Sequence, residues 1–280
     1  MATLLAWILT RTKSLFWRSL WNCCQGAKIC ANVERKRNTP VKMDEHDGKQ
    51  FLATVRSADY AHPGEAESID LVFAMVPAQP SWRVLDVGCG RGGTADYVSC
   101  HGWGCVTGVD IDREAVEYAR SKYPNLEFAV CDMQSVGDQY PEQFDLIYLF
   151  NVFYAACDKN AAMMSFRRAA KQTGLLGIFD YVMYKTDRGL PSVFLDQKPA
   201  TSDELTEWMN GSSWKLIEHI NLDDKYIEWY RNFLTRFEDP ALGKIYPPQV
   251  IADVRSKYAQ LLDSLEQGIL GGAFLLFSAR

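Results

Sequence analysis

Four histidines in 280 residues, and eight cysteines with no paired Cys-x-x-Cys spacing, leave no zinc or disulfide framework to read. Cys89 falls in a glycine-rich turn, and Cys105 and Cys131 in expected strands. They read as small buried hydrophobes suited to a reducing compartment. An excess of positive charge is also missing: 30 lysines and arginines against 35 aspartates and glutamates give a net charge of -5. That balance argues against nucleic acid or an anionic membrane as partner. The apolar run before Arg11 is too short to span a bilayer, and no internal repeat is visible. At 48% hydrophobic the chain is able to bury a full core, as one domain plus an extension.

The extension is residues 1–42, with eight basic residues and one acid, Glu34, interleaved with Trp7, Phe16, Trp17 and Trp21. A charged region before the apolar stretch is absent, which argues against a secretory signal. A mitochondrial transit peptide and an interfacial helix both fit the arginine-containing, acid-poor start. A disordered extension, or initiation at Met43, is the simpler reading, and the expected setting is then cytoplasmic.

What the chain does have is Val84-Leu85-Asp86-Val87-Gly88-Cys89-Gly90-Arg91-Gly92-Gly93. The apolar residues predict a buried parallel strand, and Gly88, Gly90 and Gly93 fit a Gly-x-Gly-x-x-Gly turn that opens a helix. Asp86 sharpens the motif. A carboxylate at the mouth of the strand repels a pyrophosphate but suits a nucleoside carrying an ammonium group, such as S-adenosylmethionine. A second strand over 105–109 ends at Asp110, where an acid accepts from ribose hydroxyls, with Ile111 beside it. A third over 126–131 ends at Asp132-Met133, an acceptor for an adenine amino group next to an apolar wall. A fourth over 144–150 leads into Asn151. Each acid alone reads equally well as a helix cap, and Asp112 does so best. Three at the carboxyl ends of successive strands point instead to the crevice where open α/β sheets bind ligands. Asp145 reads as structural and Cys157 as no nucleophile.

These motifs, with Phe144-Asp145-Leu146-Ile147-Tyr148, resemble those of class I S-adenosylmethionine-dependent methyltransferases, from about Tyr60 to the C-terminus. Tyr60 before the Pro63-Gly64 turn, Thr173-Gly174, Asp180-Tyr181 and Gly271-Gly272-Ala273-Phe274 are similar to small-molecule enzymes of the phosphoethanolamine and glycine, sarcosine and dimethylglycine types. The resemblance implies a donor site at Asp86, Gly88, Cys89, Gly90, Asp110, Ile111, Asp132, Met133 and Asn151, without metal. It also implies a lid tyrosine at Tyr60 and a substrate-contacting pair at Asp180-Tyr181. One departure stands out: where the phosphoethanolamine enzymes place a catalytic histidine after the fourth strand, this chain has Ala155, preceded by Tyr154. Asn151-Val152-Phe153-Tyr154 also resembles the Asn-Pro-Pro-Tyr motif of enzymes that methylate planar amino groups, without its prolines.

The fold implied is α/β: a Rossmann-like, seven-stranded, mostly parallel doubly wound sheet with an antiparallel last strand. Further strands are expected over 175–179, 214–221 and 272–279, and helices over 64–76, 94–101, 113–123, 160–171, 202–209, 223–238 and 248–268. The divisions expected are a helical cap 43–80, a core 81–181, a substrate-side region 182–271 and a last strand 272–280. The last two helices form an insertion between strands six and seven, a length that a plain hairpin does not need. Tyr226, Trp229, Tyr230 and Phe233 recur there at helical spacing. They read as core packing or as an aromatic wall for a cationic amine. Tyr60, Tyr154 and Tyr181 are the candidate catalytic residues, and His62, Asp180, Tyr226, Trp229 and Tyr230 the candidate substrate contacts. The function implied is methyl transfer to a small molecule, most readily an amine; a non-catalytic donor-binding protein and a nicotinamide-dependent oxidoreductase are the alternatives.

Overall fold

Strand β1 (Arg83–Val87) sits mid-sheet with both faces covered, which is why its sequence reads as a continuous apolar run rather than an alternation. Val84 packs into one hydrophobic core and Leu85 and Val87 into a second on the opposite face. The computed structural model describes residues 43, 45–186, 189–194, 197–211 and 213–280. The extension 1–42 lies outside the described residues.

Parallel strands β2 (Cys105–Asp110), β3 (Glu127–Val130), β4 (Phe144–Phe150) and β5 (Ala170–Met183) join β1 in the order β3-β2-β1-β4-β5. Two residues, β6 (Ala200–Thr201), pair with the end of β5; β7 (Trp214–Asn221) and β8 (Leu270–Ala279) complete the sheet. β8 runs antiparallel to both β5 and β7. The expected seven strands are present, and the two-residue β6 is an eighth that no pattern so short announces. The reversal of order beside β1 creates the crevice at the carboxyl ends of β1 and β4, where this fold class binds ligands.

Helices cover both faces: α1 (His46–Arg56), α2 (Glu65–Phe73), α3 (Gly93–Cys100), α4 (Arg113–Lys122), the short α5 (Val136–Gln139), α6 (Lys159–Ala169) and α7 (Ser202–Gly211). Asp112 caps α4, accepting from the backbone N–H groups of Glu114 and Ala115. The insertion between β7 and β8 contains α8 (Asp223–Thr235), α9 (Leu242–Ile245) and α10 (Pro248–Glu266). No described helix is long and apolar enough to cross a membrane.

Asp145, at the start of β4, accepts from Lys171 Nζ at 2.7 and 2.8 Å and from the Arg83 backbone at 2.8 Å, a structural clamp. Cys89 and Cys131 are buried as expected, but Cys105 is exposed, because the first residue of β2 lies at the solvent end of the sheet.

The α8–β8 contact is tight enough to test. A Cβ at Gly272 would lie 2.2 Å from the Tyr226 ring, whereas one at Gly243 meets nothing within 4 Å. Gly272→Ala is expected to lower stability by about 1–3 kcal/mol through overpacking, and Gly243→Ala to leave it unchanged or slightly raised. Urea unfolding of both variants checks this; equal effects would contradict the packing described.

Candidate active site

The tips of β1, β2 and β4 open onto a cavity of about 360 Å³, within the range of small-molecule sites, about 300–1,000 Å³. All nine expected donor-site residues border it: Asp86, Gly88, Cys89, Gly90, Asp110, Ile111, Asp132, Met133 and Asn151. Tyr60, His62, Tyr154 and Tyr181 border it as well.

Three observations define what this cavity fits. First, Asp86 is 2% exposed and its Oδ2 has no hydrogen-bond partner. Burial pushes its carboxyl up to about 8; the nearby Tyr148 hydroxyl opposes the rise and the Asp110 carboxylate adds to it. Second, Asn151 holds a left-handed backbone at φ 50° with its Nδ2 buried and unpartnered, while its Oδ1 accepts from the Tyr226 hydroxyl at 3.2 Å. An orphan acceptor and an orphan donor at the ends of adjacent strands complement the ammonium and carboxylate of an amino acid. Third, Gly90 has φ 51°, and a Cβ there would make only ordinary contacts, 3.8 Å from Lys49 Cδ and 4.0 Å from Asp110 Oδ2. The missing side chain leaves room beside Asp110 for a ligand. Gly93 serves a different purpose: a Cβ there would lie 2.6 Å from the Asp59 carbonyl, so it admits the loop carrying Tyr60.

Asp110 is held rigidly. It accepts from the Gly90 backbone at 2.8 Å and the Asp112 backbone at 2.9 Å, and pairs with Lys49 Nζ at 2.9 Å. Asp132 accepts from the Gln134 backbone at 2.9 Å, and Ile111 is 71% exposed, an unpartnered apolar surface beside both acids. The residues present therefore fit a nucleoside joined to a zwitterionic amino acid. Among the described residues no cluster of three or more His, Cys, Asp or Glu is positioned to hold a metal ion.

On the other side of the cavity the placements differ from the sequence reading. Tyr226, Trp229 and Tyr230 do not border it; they are buried at 0%, 6% and 1% exposure against the sheet, which makes core packing their observed environment. Trp229 donates to Glu67 at 2.9 Å, and the Tyr230 hydroxyl hydrogen-bonds that of Tyr181. The insertion reaches the cavity through Tyr258 of α10 instead. Asp180 also lies behind the wall, accepting from the Tyr154 backbone at 3.0 Å and the Tyr181 backbone at 2.7 Å. Burial raises its carboxyl to about 7, opposed by the N–H groups of Tyr181, Tyr154 and Phe153.

His62 is buried and neutral, its pKa lowered to about 3 by desolvation. Ser68 donates to the Glu65 carbonyl, so its oxygen accepts from His62 Nδ1 at 3.1 Å, and Nε2 then accepts from Thr94 Oγ1 at 3.0 Å. Both ring nitrogens are committed. Tyr60 differs: its hydroxyl has no hydrogen-bond partner among the described residues, and burial raises its pKa to about 12, keeping it a phenol.

Among the residues that border the cavity, Lys49, Arg91, Phe194 and Tyr258 were given no role by the sequence reading. The buried Phe51, Leu52 and Val55 at helical spacing were a legible signal for α1, and hence for Lys49. Arg91 lies within the motif and pairs with Asp59 at 2.8 Å while stacking 3.4 Å from the Tyr118 ring centre, which ties the glycine turn to the Tyr60 loop.

The electrostatic strain at Asp86 has a measurable signature. Its folded pKa lies above the ordinary carboxylate value, so the stability it contributes is complete below about pH 4 and is lost as pH rises towards about 8. Asp86→Asn removes that loss. Relative to the native chain, the variant is expected to gain stability between pH 5 and pH 8, by at most about 1.4 kcal/mol per pH unit, and level off above. A constant difference in urea unfolding across that range would contradict a buried, unpaired Asp86.

The profile of the methyltransferase domain family matches residues 78–234, more than half of the chain. The chain is 29% identical over 155 residues to phosphoethanolamine N-methyltransferase 3 of Arabidopsis thaliana, covering 54% of this chain and 29% of that protein. It is 26% identical over 176 residues to an O-methyltransferase of Pyrenophora dematioidea, covering 56% and 63%. The matched part thus spans less than a third of the plant protein and less than two thirds of the fungal one. Among solved structures, phosphoethanolamine N-methyltransferase 2 of Haemonchus contortus in complex with S-adenosyl-L-methionine is similar, with a TM-score of 0.77 at 16% identity over 85% of this chain and 58% of that one. At such identity that likeness carries the fold alone. The family profile carries more, and it covers the glycine turn and the tips of β1 to β5: the chain belongs to the methyltransferase domain family.

Proposed function

We propose that the chain transfers a methyl group from S-adenosylmethionine to an amine nitrogen of a small molecule held in the cavity. The observation that carries this reading is the pair of orphaned polar atoms, Asp86 Oδ2 and Asn151 Nδ2, on residues that border the same cavity as Asp110. Asp86 would take the donor's ammonium, Asn151 its carboxylate, Asp110 the ribose hydroxyls and Asp132 the adenine amine, with Ile111 and Met133 against the ring. The bound donor supplies an already activated sulfonium methyl group.

What remains for the protein is alignment and exclusion of water. Phe194 and Tyr258, from two separate segments of the substrate-side region, border the same cavity. An amine attacks only through its free lone pair, so a hydrogen-bond acceptor must orient its N–H. Tyr60 suits that role, since its hydroxyl is uncommitted and stays protonated. His62 does not, because both nitrogens are occupied. Asp180 acts at one remove, fixing the Tyr154–Tyr181 backbone.

S-adenosylhomocysteine is expected to raise the melting temperature while nicotinamide dinucleotides do not; the reverse pattern would overturn the donor assignment. Asp110→Ala is expected to weaken binding of that product by about 1.5–3 kcal/mol, read by calorimetry, and unchanged affinity would remove Asp110 from the site. Tyr60→Phe is expected to lower turnover up to about tenfold, the worth of one hydrogen bond, with product affinity preserved. Equal turnover would assign Tyr60 to packing.

A further inference from the structure

Asp110, the acid that would take the donor's ribose, already has most of its hydrogen-bonding capacity in use. Its Oδ1 accepts from Lys49 Nζ and from the Asp112 backbone, each at 2.9 Å, and its Oδ2 accepts from the Gly90 backbone at 2.8 Å. A carboxylate offers about four lone-pair positions, two on each oxygen. Oδ1 is therefore full, and one position remains, on Oδ2. A ribose presents two vicinal hydroxyls, so a contact through both needs one position more than the free protein leaves.

Two of the three donors on Asp110 are backbone N–H groups and are fixed. The glycine turn is pinned to β2, with the Gly88 and Cys89 backbones donating to the Val109 carbonyl at 2.7 and 3.0 Å. The turn into α4 is fixed by the Asp112 cap. Lys49 is the third donor, and it alone sits on a flexible stem. It comes from α1, borders the cavity, and its side chain is 12% exposed.

A second acid is placed to receive it. Asp112 Oδ1 is committed to the cap, accepting from the Glu114 and Ala115 backbones at 3.0 and 3.2 Å. Its Oδ2 is buried without a hydrogen-bond partner and lies 3.4 Å from Lys49 Nζ, within ion-pair range but not hydrogen-bonded. Among the described residues, the ion pairs of both acids are with this one ammonium. A short swing of the lysine exchanges one carboxylate for the other.

We infer that Lys49 holds one ribose position on Asp110 in the free protein and yields it to the donor's vicinal hydroxyls, its ammonium moving to Asp112 Oδ2. This rests on the donor assignment above and adds two residues to it: Lys49 as the positioning residue that the diol displaces, and Asp112 as its landing point. The exchange keeps the ammonium paired, so the ribose gains Asp110 without stranding a buried charge. A ligand with a single ribose hydroxyl needs only the vacant position on Oδ2 and leaves Lys49 in place.

The probes are S-adenosylhomocysteine, which lacks the sulfonium charge, and its 2′-deoxy analogue. Both are titrated calorimetrically into the full native chain, Lys49→Met, Asp112→Asn and the double variant. Methionine keeps an unbranched apolar stem beside Gly90, and asparagine keeps the helix cap. Lys49→Met is expected to tighten binding of S-adenosylhomocysteine about three- to tenfold, and Asp112→Asn to weaken it by about the same factor. In the double variant the asparagine is expected to add nothing, because the cation that Asp112 would receive is gone. The 2′-deoxy analogue is expected to shift by no more than about twofold in any variant. Weaker binding in Lys49→Met, native affinity in Asp112→Asn, or an undiminished Asp112→Asn effect in the double variant overturns the exchange. So does a 2′-deoxy analogue that follows its parent through all the variants. If S-adenosylhomocysteine binds the native chain and one of these patterns appears, the donor site stands and only the exchange fails. If it binds none of the four proteins, the donor reading fails and the exchange with it.

Discussion

A carboxyl group with an unpaired oxygen, sealed at the end of a central strand, is the constraint around which the site is built. Asp86 is on the face of β1 that also carries Val84, and the pleat allows it no other direction once Leu85 and Val87 are committed to the opposite core. Hydrophobic packing on both sides of the sheet thus forces an acid into an apolar setting, with Asp110 close enough to raise its pKa further. An arrangement that costs stability in the free protein persists where a ligand supplies the missing charge. A methyl donor with an ammonium group does that, and a pyrophosphate does the opposite.

The rest of the fold positions surfaces around this point. Reversal of strand order places the tip of β4 beside that of β1, bringing Asn151 to the same cavity as Asp86. The long β5 carries Asp180 and Tyr181 past the cavity, and its antiparallel partner β8 anchors α8 through the Gly272–Tyr226 contact. The aromatic residues of α8 consolidate the layer behind the wall, hydrogen-bonding Asn151 and Tyr181 from the rear. Tyr226 and Tyr230 therefore shape the site without touching its contents. Glu65 ties α2 to α1 and to the 3₁₀ turn after α8 through Arg56 and Arg236, so the helices over the cavity form one connected cover.

That Asp86, the glycine turn, Asp110 and Asp132 share one cavity was legible because each signal is local. Each acid lies at the end of an apolar run, and the glycine turn is contiguous, so strand type, strand end and ligand chemistry could all be read within ten residues. On the other side of the cavity Tyr60, Tyr154 and Tyr181 were named from the sequence, whereas Phe194 on a 3₁₀ turn and Tyr258 on α10 were not, because only the tertiary fold brings those distant segments there. Helical spacing marked the buried stripe of Tyr226, Trp229 and Tyr230 correctly as one face, but periodicity does not say whether that face meets a core or a cavity. Lys49 was missed for a related reason. Its helix has a readable apolar stripe, yet only the tertiary approach of α1 to β2 shows that the ammonium reaches Asp110.

The most direct measurement is a crystal structure with S-adenosylhomocysteine bound. The account predicts the homocysteine ammonium within hydrogen-bond distance of Asp86 Oδ2 and the ribose on Asp110, with the remaining space bounded by Tyr60, Tyr154 and Tyr181. A ligand seated elsewhere, or one that leaves Asp86 unpaired while it occupies the cavity, would contradict it.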